Sequence, residues 1–179
     1  VKVSDVDLAD LDSKVRKLIP MGKEINVEKP TSKEHLMCGL AVPKSIRALV
    51  AGERALLALG SLGGGNHFIE FGRGPGDELW VTIHSGSRNP GKTIAEIFQE
   101  RAKEFSAGHP GVVSSMEYLP SELYSEMVSH VTSYARANRC LMLSRILGIF
   151  HKEADIFNYL LGRIDVPHNT LSTSSTEDH

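Results

Sequence analysis

Three histidines stand at the edges of regular structure, and their neighbours are residue types suited to anions. Gly63-Gly64-Gly65 leads into Asn66-His67, a strand-like run ends in His84-Ser85-Gly86-Ser87-Arg88, and Pro167 is followed by His168-Asn169. Consecutive glycines reach positive φ and leave backbone N–H groups open to an anion, with no Cβ in the way. Neutral imidazole is the commonest transition-metal ligand, and His67, His84 and His168 would make an incomplete set of three. Taken singly, a glycine run is more often a turn and a histidine more often an ordinary hydrogen-bonded side chain. Their concurrence favours a site for a metal, a phosphate, or both. His35, His109, His130, His151 and His179 lack such settings and read as surface or structural. Cys38, three residues after His35, could pair with it on a metal, but the apolar MCGLAV context favours a buried, inert thiol.

A second pattern overlaps the first. Gly86 to Thr93 satisfies G-x-x-x-x-G-K-[ST], follows an apolar run and opens a helix. In a phosphate-binding P-loop, Lys92 would meet the phosphates and Thr93 a magnesium ion. That fold needs several parallel strands after the loop, whereas the sequence from 92 to 161 reads as helix and loop. A strand ending in aspartate for the second magnesium contact is also lacking, Ile164-Asp165 being a poor one. A P-loop NTPase is therefore the weaker reading of this stretch.

The elements that must hold these residues follow from periodicity. Apolar runs 68–71 and 79–83 face each other across a glycine-rich turn at 72–78, so His67 and His84 fall at adjacent ends of an antiparallel pair, where opposed residues lie about 5 Å apart. Ser4 caps a first helix carrying Leu8, Leu11, Val15 and Leu18 inward until Ile19-Pro20 ends it. A loop covers 20–34, and helices follow at about 44–59 and 92–105. Residues 106–120 form a second loop. From 121 to 149 there is no proline and no glycine before Gly148, which predicts one long, mostly amphipathic helix. A short helix at 154–161 and a brief strand at 163–166 complete the pattern. The fold expected is α+β: a mixed or antiparallel sheet containing the glycine-rich hairpin at 67–84, covered by helices. The whole forms one domain over 1–172 with a polar tail at 173–179.

Composition narrows the class. Apolar residues make up 41% of the 179, enough for a globular core. Lys plus Arg total 20 against 22 Asp plus Glu, so any nucleic-acid contact needs a local patch and not overall basicity. Two cysteines form no disulfide framework and suit a reducing, cytoplasmic setting. The sequence offers no apolar run long enough for a membrane span and no signal peptide, and its start suggests an excerpt or a processed chain.

GSLGGGNHFIE followed by IHSGSR resembles the RtcB family of RNA-splicing ligases. SYARANRCLM resembles that family's YA-x-x-NR segment, and PHNTLS its (H)HN motif, with Pro167 where many members carry a further histidine. The four matches keep the family's order from about Leu59 to Ser172, and Ile19-Pro20-Met21-Gly22 resembles the stretch that precedes them. The resemblance implies a partial RtcB-like fold and an enzyme that joins RNA 2′,3′-cyclic phosphate or 3′-phosphate ends to 5′-hydroxyl ends, as in tRNA splicing and RNA repair. It implies GTP and manganese as cofactors, two ions in a complete site. By motif, His67, His84 and His168 would be metal ligands. Asn66, His67, Phe68, Ile69 and Glu70, with His168 and Asn169, would contact GTP, and Arg88 would bind phosphate or RNA backbone. Two family features are not matched: an Asp-x-x-Cys-Gly motif before the first helix, and a C-terminal region with the guanylylated histidine. No catalytic nucleophile is assigned, and the chain alone is expected to be incompetent. The same residues would also suit a metal-dependent phosphodiesterase, or a non-catalytic remnant that keeps the scaffold.

Overall fold

A computed structural model describes residues 1–32, 34, 53–108 and 121–167. After a 3-10 turn at Val3–Asp5, helix α1 spans Leu8–Leu18 and α2 spans Glu53–Ala58. Strands β1 (Phe68–Arg73) and β2 (Leu79–His84) pair antiparallel, with Phe68 opposite His84 and Arg73 opposite Leu79. Helices α3 (Pro90–Ala107), α4 (Ser121–Phe150) and α5 (Glu153–Leu161) follow. The class is thus α+β, and among the described residues the sheet is this antiparallel pair alone. Of the helix expected at 44–59, only α2 falls within the described residues.

The spine is α4. It is less one-sided than its periodicity suggested, because different neighbours cover different faces. Tyr134, Ala137 and Leu141 pack with Ala55 and Leu59. Met142 and Ile146 meet Leu11, Val15, Ile19 and Leu62, and this cluster carries the inward residues of the hairpin, Ile69, Phe71, Val81 and Ile83. Met127 packs on Ile94, Phe98 and Ala102 of α3, and Cys140 on Ile156 and Leu160 of α5. A helix with neighbours on several sides needs apolar residues on more than one face.

Two local expectations are corrected. Asp7, not Ser4, caps α1: its carboxylate accepts the N–H groups of Ala9 at 2.9 Å and Asp10 at 3.1 Å. The Ser4 N–H is instead turned to the Asp77 carboxylate in the hairpin turn, at 3.2 Å. Residues 163–166 form no strand. Ile164 and Val166 have strand-like side chains, but Asp165 is drawn into ion pairs with α4, and among the described residues no ladder partner lies alongside.

Arg145 of α4 ties the first third of the chain to the site. Its guanidinium donates to the Asn26 side-chain oxygen at 2.8 Å and the Gly60 carbonyl at 3.0 Å, and pairs with Glu34 at 3.4 Å. Asn26 in turn donates to the carbonyls of Leu57 and Leu59. Burial opposes ionisation of Glu34, but hydrogen bonds from Thr31 and the charge of Arg145 overcome it and hold the carboxyl below its usual range. The unfolded chain therefore takes up this proton at higher pH than the folded one. The stability contributed by Glu34 is present above the ordinary glutamate range and is lost as pH falls through the folded value. Glu34→Gln is expected to flatten the acid side of the stability–pH curve, as followed by urea unfolding at stepped pH.

Candidate metal and phosphate site

The end of the hairpin that carries His67 and His84 abuts three loops. Phe68 lies flat on His84, rings 5.3 Å apart and 10° from parallel, while His67 approaches the same ring at 5.9 Å and 59°. The direct strand partner of His84 is Phe68, so His67 sits one residue beyond the ladder and turns its ring back toward it. The two histidines thus come together as expected.

Gly63 forms the floor. Its φ is +94°, and a Cβ placed there would stand 1.9 Å from Arg88 Nη1 and 2.5 Å from His67 Nδ1. On the other side, a Cβ on Gly86 would lie 3.7 Å from His67 Nε2. The imidazole is therefore held between two glycines, with the Arg88 guanidinium pressed against one of them. Burial, and then the charges of Arg88 and His84, lower the His67 pKa, against the opposing pull of the Leu62 carbonyl. That carbonyl favours the protonated ring without meeting it in hydrogen-bond geometry: Nδ1 is buried with no partner among the described residues. His67 is thus kept neutral, the form in which imidazole offers a lone pair to a metal.

Arg88 is held without an opposing charge among the described residues. Its Nε donates to Ser61 Oγ at 3.0 Å and Nη2 to the Gly22 carbonyl at 3.1 Å, both neutral acceptors. Burial lowers its pKa, and Arg54 adds to the effect. A half-buried guanidinium with neutral neighbours and a second cation nearby suits an anion such as phosphate. The backbone at Arg88 and Asn89 is left-handed, φ +51° and +89°, which non-glycine residues adopt at a cost of about 1–3 kcal/mol each.

Residues 20–22 supply another wall. Leu62 N–H donates to the Pro20 carbonyl at 2.9 Å and Gly22 N–H to the Gly63 carbonyl at 2.8 Å. A P-loop finds no support here. Helix α3 already begins at Pro90, the Lys92 ammonium pairs with Glu96 of its own helix at 3.6 Å, and Thr93 Oγ1 accepts from Asn89 at 3.2 Å. Among the described residues no parallel strand follows.

Of the remaining expected site residues, Asn66, Ile69 and Glu70 lie on or beside β1. Ile69 points into the core, whereas Glu70 is exposed. His168 and Asn169 lie outside the described residues, as do His35 and Cys38. Among the described residues no three His, Cys, Asp or Glu side chains gather as a metal cage.

The less expected residue is Asn138. It is fully buried, and its side chain accepts the N–H groups of Gly60 at 2.7 Å and Ser61 at 3.3 Å. Its two N–H groups are shared among the Ser61 carbonyl, Ser85 Oγ and the Gly86 carbonyl, at 3.1–3.2 Å. Ser85 Oγ donates its own proton to the Leu62 carbonyl at 2.7 Å. The sequence carried a signal for this: Asn138-Arg139 is a polar pair between Ala137 and Cys140-Leu141-Met142, and polar groups in such a run need partners.

A family model described as tRNA-splicing ligase RtcB matches residues 3–179. The chain belongs to the RtcB family. RNA-splicing ligase RtcB1 of one Escherichia coli strain is 30% identical over 121 residues, 66% of this chain and 28% of the relative. RNA-splicing ligase RtcB of a second strain is 30% identical over 102 residues, 50% of this chain and 24% of the relative. The matched stretch is less than a third of either relative. Within this chain the GGGNH and HSGSR segments meet at one end of the hairpin, and Asn138 of the YARANR segment bonds to residues in or beside both. Among the described residues no helix is long and apolar enough to cross a membrane.

Proposed function

We propose that this chain carries part of the active site of an RNA ligase, one that joins 2′,3′-cyclic phosphate or 3′-phosphate ends to 5′-hydroxyl ends with GTP and manganese. The observation that carries the reading is the grouping of His67, His84 and Arg88 about Gly63. Family membership supports it, and both relatives bear the name of RNA-splicing ligases.

The residues suit the implied metal. His67 is neutral, has a buried nitrogen with no partner among the described residues, and stands beside a second imidazole. His67 and His84 would hold manganese together with His168, and Asn66 to Glu70 with His168-Asn169 would contact GTP. When bound, manganese supplies a Lewis acid that neutralises phosphoryl oxygens. The chain's own part is to orient. Arg88, fixed by Ser61 and Gly22, would fork two N–H groups onto a phosphate. The neutral His67 ring avoids adding a third positive charge to Arg88 and Arg54. RNA ends are the partner this chemistry implies, in the cytoplasm, and residues 1–172 would act as one domain together with segments supplied by the remainder of an RtcB-like enzyme.

Manganese titration followed by electron paramagnetic resonance tests the reading. The chain is expected to bind Mn2+, and His67→Ala to weaken binding at least ~10-fold. Equal affinity in the two proteins would remove His67 from the metal site. With GTP and manganese together, intact mass measurement is expected to show no covalent guanylate, because no nucleophilic histidine is assigned in this chain.

A further inference from the structure

Asn138 and Arg139 are adjacent on α4, yet between them they grip three segments that are far apart in sequence. Asn138 bonds to 60–61, which lead into the glycine run, and to 85–86, which follow His84. Arg139 donates through Nη1 to the Ser85 carbonyl at 3.0 Å and through Nε to Asp165 Oδ1 at 2.7 Å. Arg136 adds a looser contact to the other oxygen of Asp165, at 3.4 Å. In the two loops the gripped segments touch or adjoin site residues: Ser61 receives Arg88, Ser85 follows His84, and Gly86 faces the His67 ring.

The Arg139–Asp165 pair is nearly buried, with 13% and 12% of the side chains exposed. Burying two charges costs solvation that their attraction only about balances, and apolar replacements of such pairs are often as stable. What a guanidinium supplies here is geometry, since its rigid fork meets a carbonyl and a carboxylate at once. A lysine carries all its donors on one nitrogen and cannot reproduce the two-nitrogen spacing.

We propose that Asn138 and Arg139 are the positioning pair of the site. Asn138 sets the spacing between 60–61 and 85–86, and Arg139 ties Ser85 to Asp165, in the segment whose sequence runs on to His168-Asn169. The proposal deepens the metal-and-phosphate reading and rests on it for its functional sense, but its geometry can be tested separately.

The test uses Arg139→Lys and Asp165→Asn in the 179-residue chain. Arg139→Lys keeps a positive charge opposite Asp165, so this variant should fold, whereas Asp165→Asn leaves the buried Arg139 guanidinium without its countercharge. The readouts are thermal unfolding, the backbone amide resonances of His84, Ser85 and Gly86, and Mn2+ titration followed by broadening of the histidine ring signals. Both variants are expected to move the Ser85 and Gly86 amides and to weaken Mn2+ binding about 10-fold, Arg139→Lys with little change in unfolding midpoint and Asp165→Asn with a lower one. Unmoved amides in both variants would overturn the proposal, as would Mn2+ affinity equal to that of a wild-type chain that does bind. Amides that move in a chain whose wild type binds no Mn2+ would support the positioning pair and sink the metal reading instead.

Discussion

Asn138→Ala is expected to lower the free energy of unfolding by about 3–5 kcal/mol, among the larger losses a single substitution produces. The reason lies in what the truncation leaves behind. Gly60 N–H, Ser61 N–H, Ser61 carbonyl, Ser85 Oγ and Gly86 carbonyl all lose a partner at once. An orphaned buried polar group costs about 1–3 kcal/mol, and the sum is held down because Ser61 N–H keeps the Ala58 carbonyl and Ser85 Oγ keeps the Leu62 carbonyl. Small domains have only about 5–15 kcal/mol in total, so the variant should be visibly closer to unfolding. Ser85→Ala is the comparison: it removes the bond to Leu62 and one of the Asn138 contacts, and should cost about 1–2 kcal/mol. Urea titration with an unchanged slope checks both. A loss under about 1 kcal/mol for Asn138→Ala would mean that backbone bonds such as Leu62 to Pro20 suffice to hold the loops.

The hairpin was legible because both its signals are local. Alternation places Ile69, Phe71, Val81 and Ile83 inward, and the glycine-rich turn lies between the two runs, though the ladder extends through Gly72 and Arg73. The long helix was legible for the same reason, as an uninterrupted run. What escaped was decided by partners remote in sequence. Ser4 and Asp7 are both good caps, but Ser4 is taken into a 3-10 turn where its N–H meets the remote Asp77, and Asp7 directly precedes Leu8. The segment 163–166 has strand composition, but Arg139 and Arg136 claim Asp165 before any ladder can.

The site divides along the same line. His67, His84 and Arg88 were readable as chemistry because their types and flanking glycines are conspicuous. Their mutual arrangement was not, since it depends on how Ser61, Gly22 and Asn138 fix the loops. The three consecutive glycines are the sharpest case. In the sequence they are equivalent; in the fold Gly63 is pressed by two side chains, Gly64 meets only the Gly22 Cα at 3.6 Å, and Gly65 faces open space at φ +76°.

Substituting these glycines one at a time therefore separates backbone strain from displacement of the site. Gly64→Ala should be nearly neutral, because its Cβ makes an ordinary contact. Gly65→Ala should cost about 1–2 kcal/mol from a left-handed backbone alone, and leave the site intact. Gly63→Ala carries the same strain and also drives a methyl group into Arg88 and His67. Arg88 is flexible enough to swing aside, so the added loss of stability is modest. The swing, however, breaks its bonds to Ser61 and Gly22 and turns the guanidinium away from the histidines. The expected signature is a shifted Arg88 Nε–H resonance, displaced His67 ring signals and at least ~10-fold weaker Mn2+ binding in Gly63→Ala only. If Gly63→Ala and Gly65→Ala behave alike in all three, Gly63 is an ordinary turn glycine and Arg88 is not held against it. If they differ as stated, the first glycine of the run is there to make room for a cation and an imidazole in the same small space.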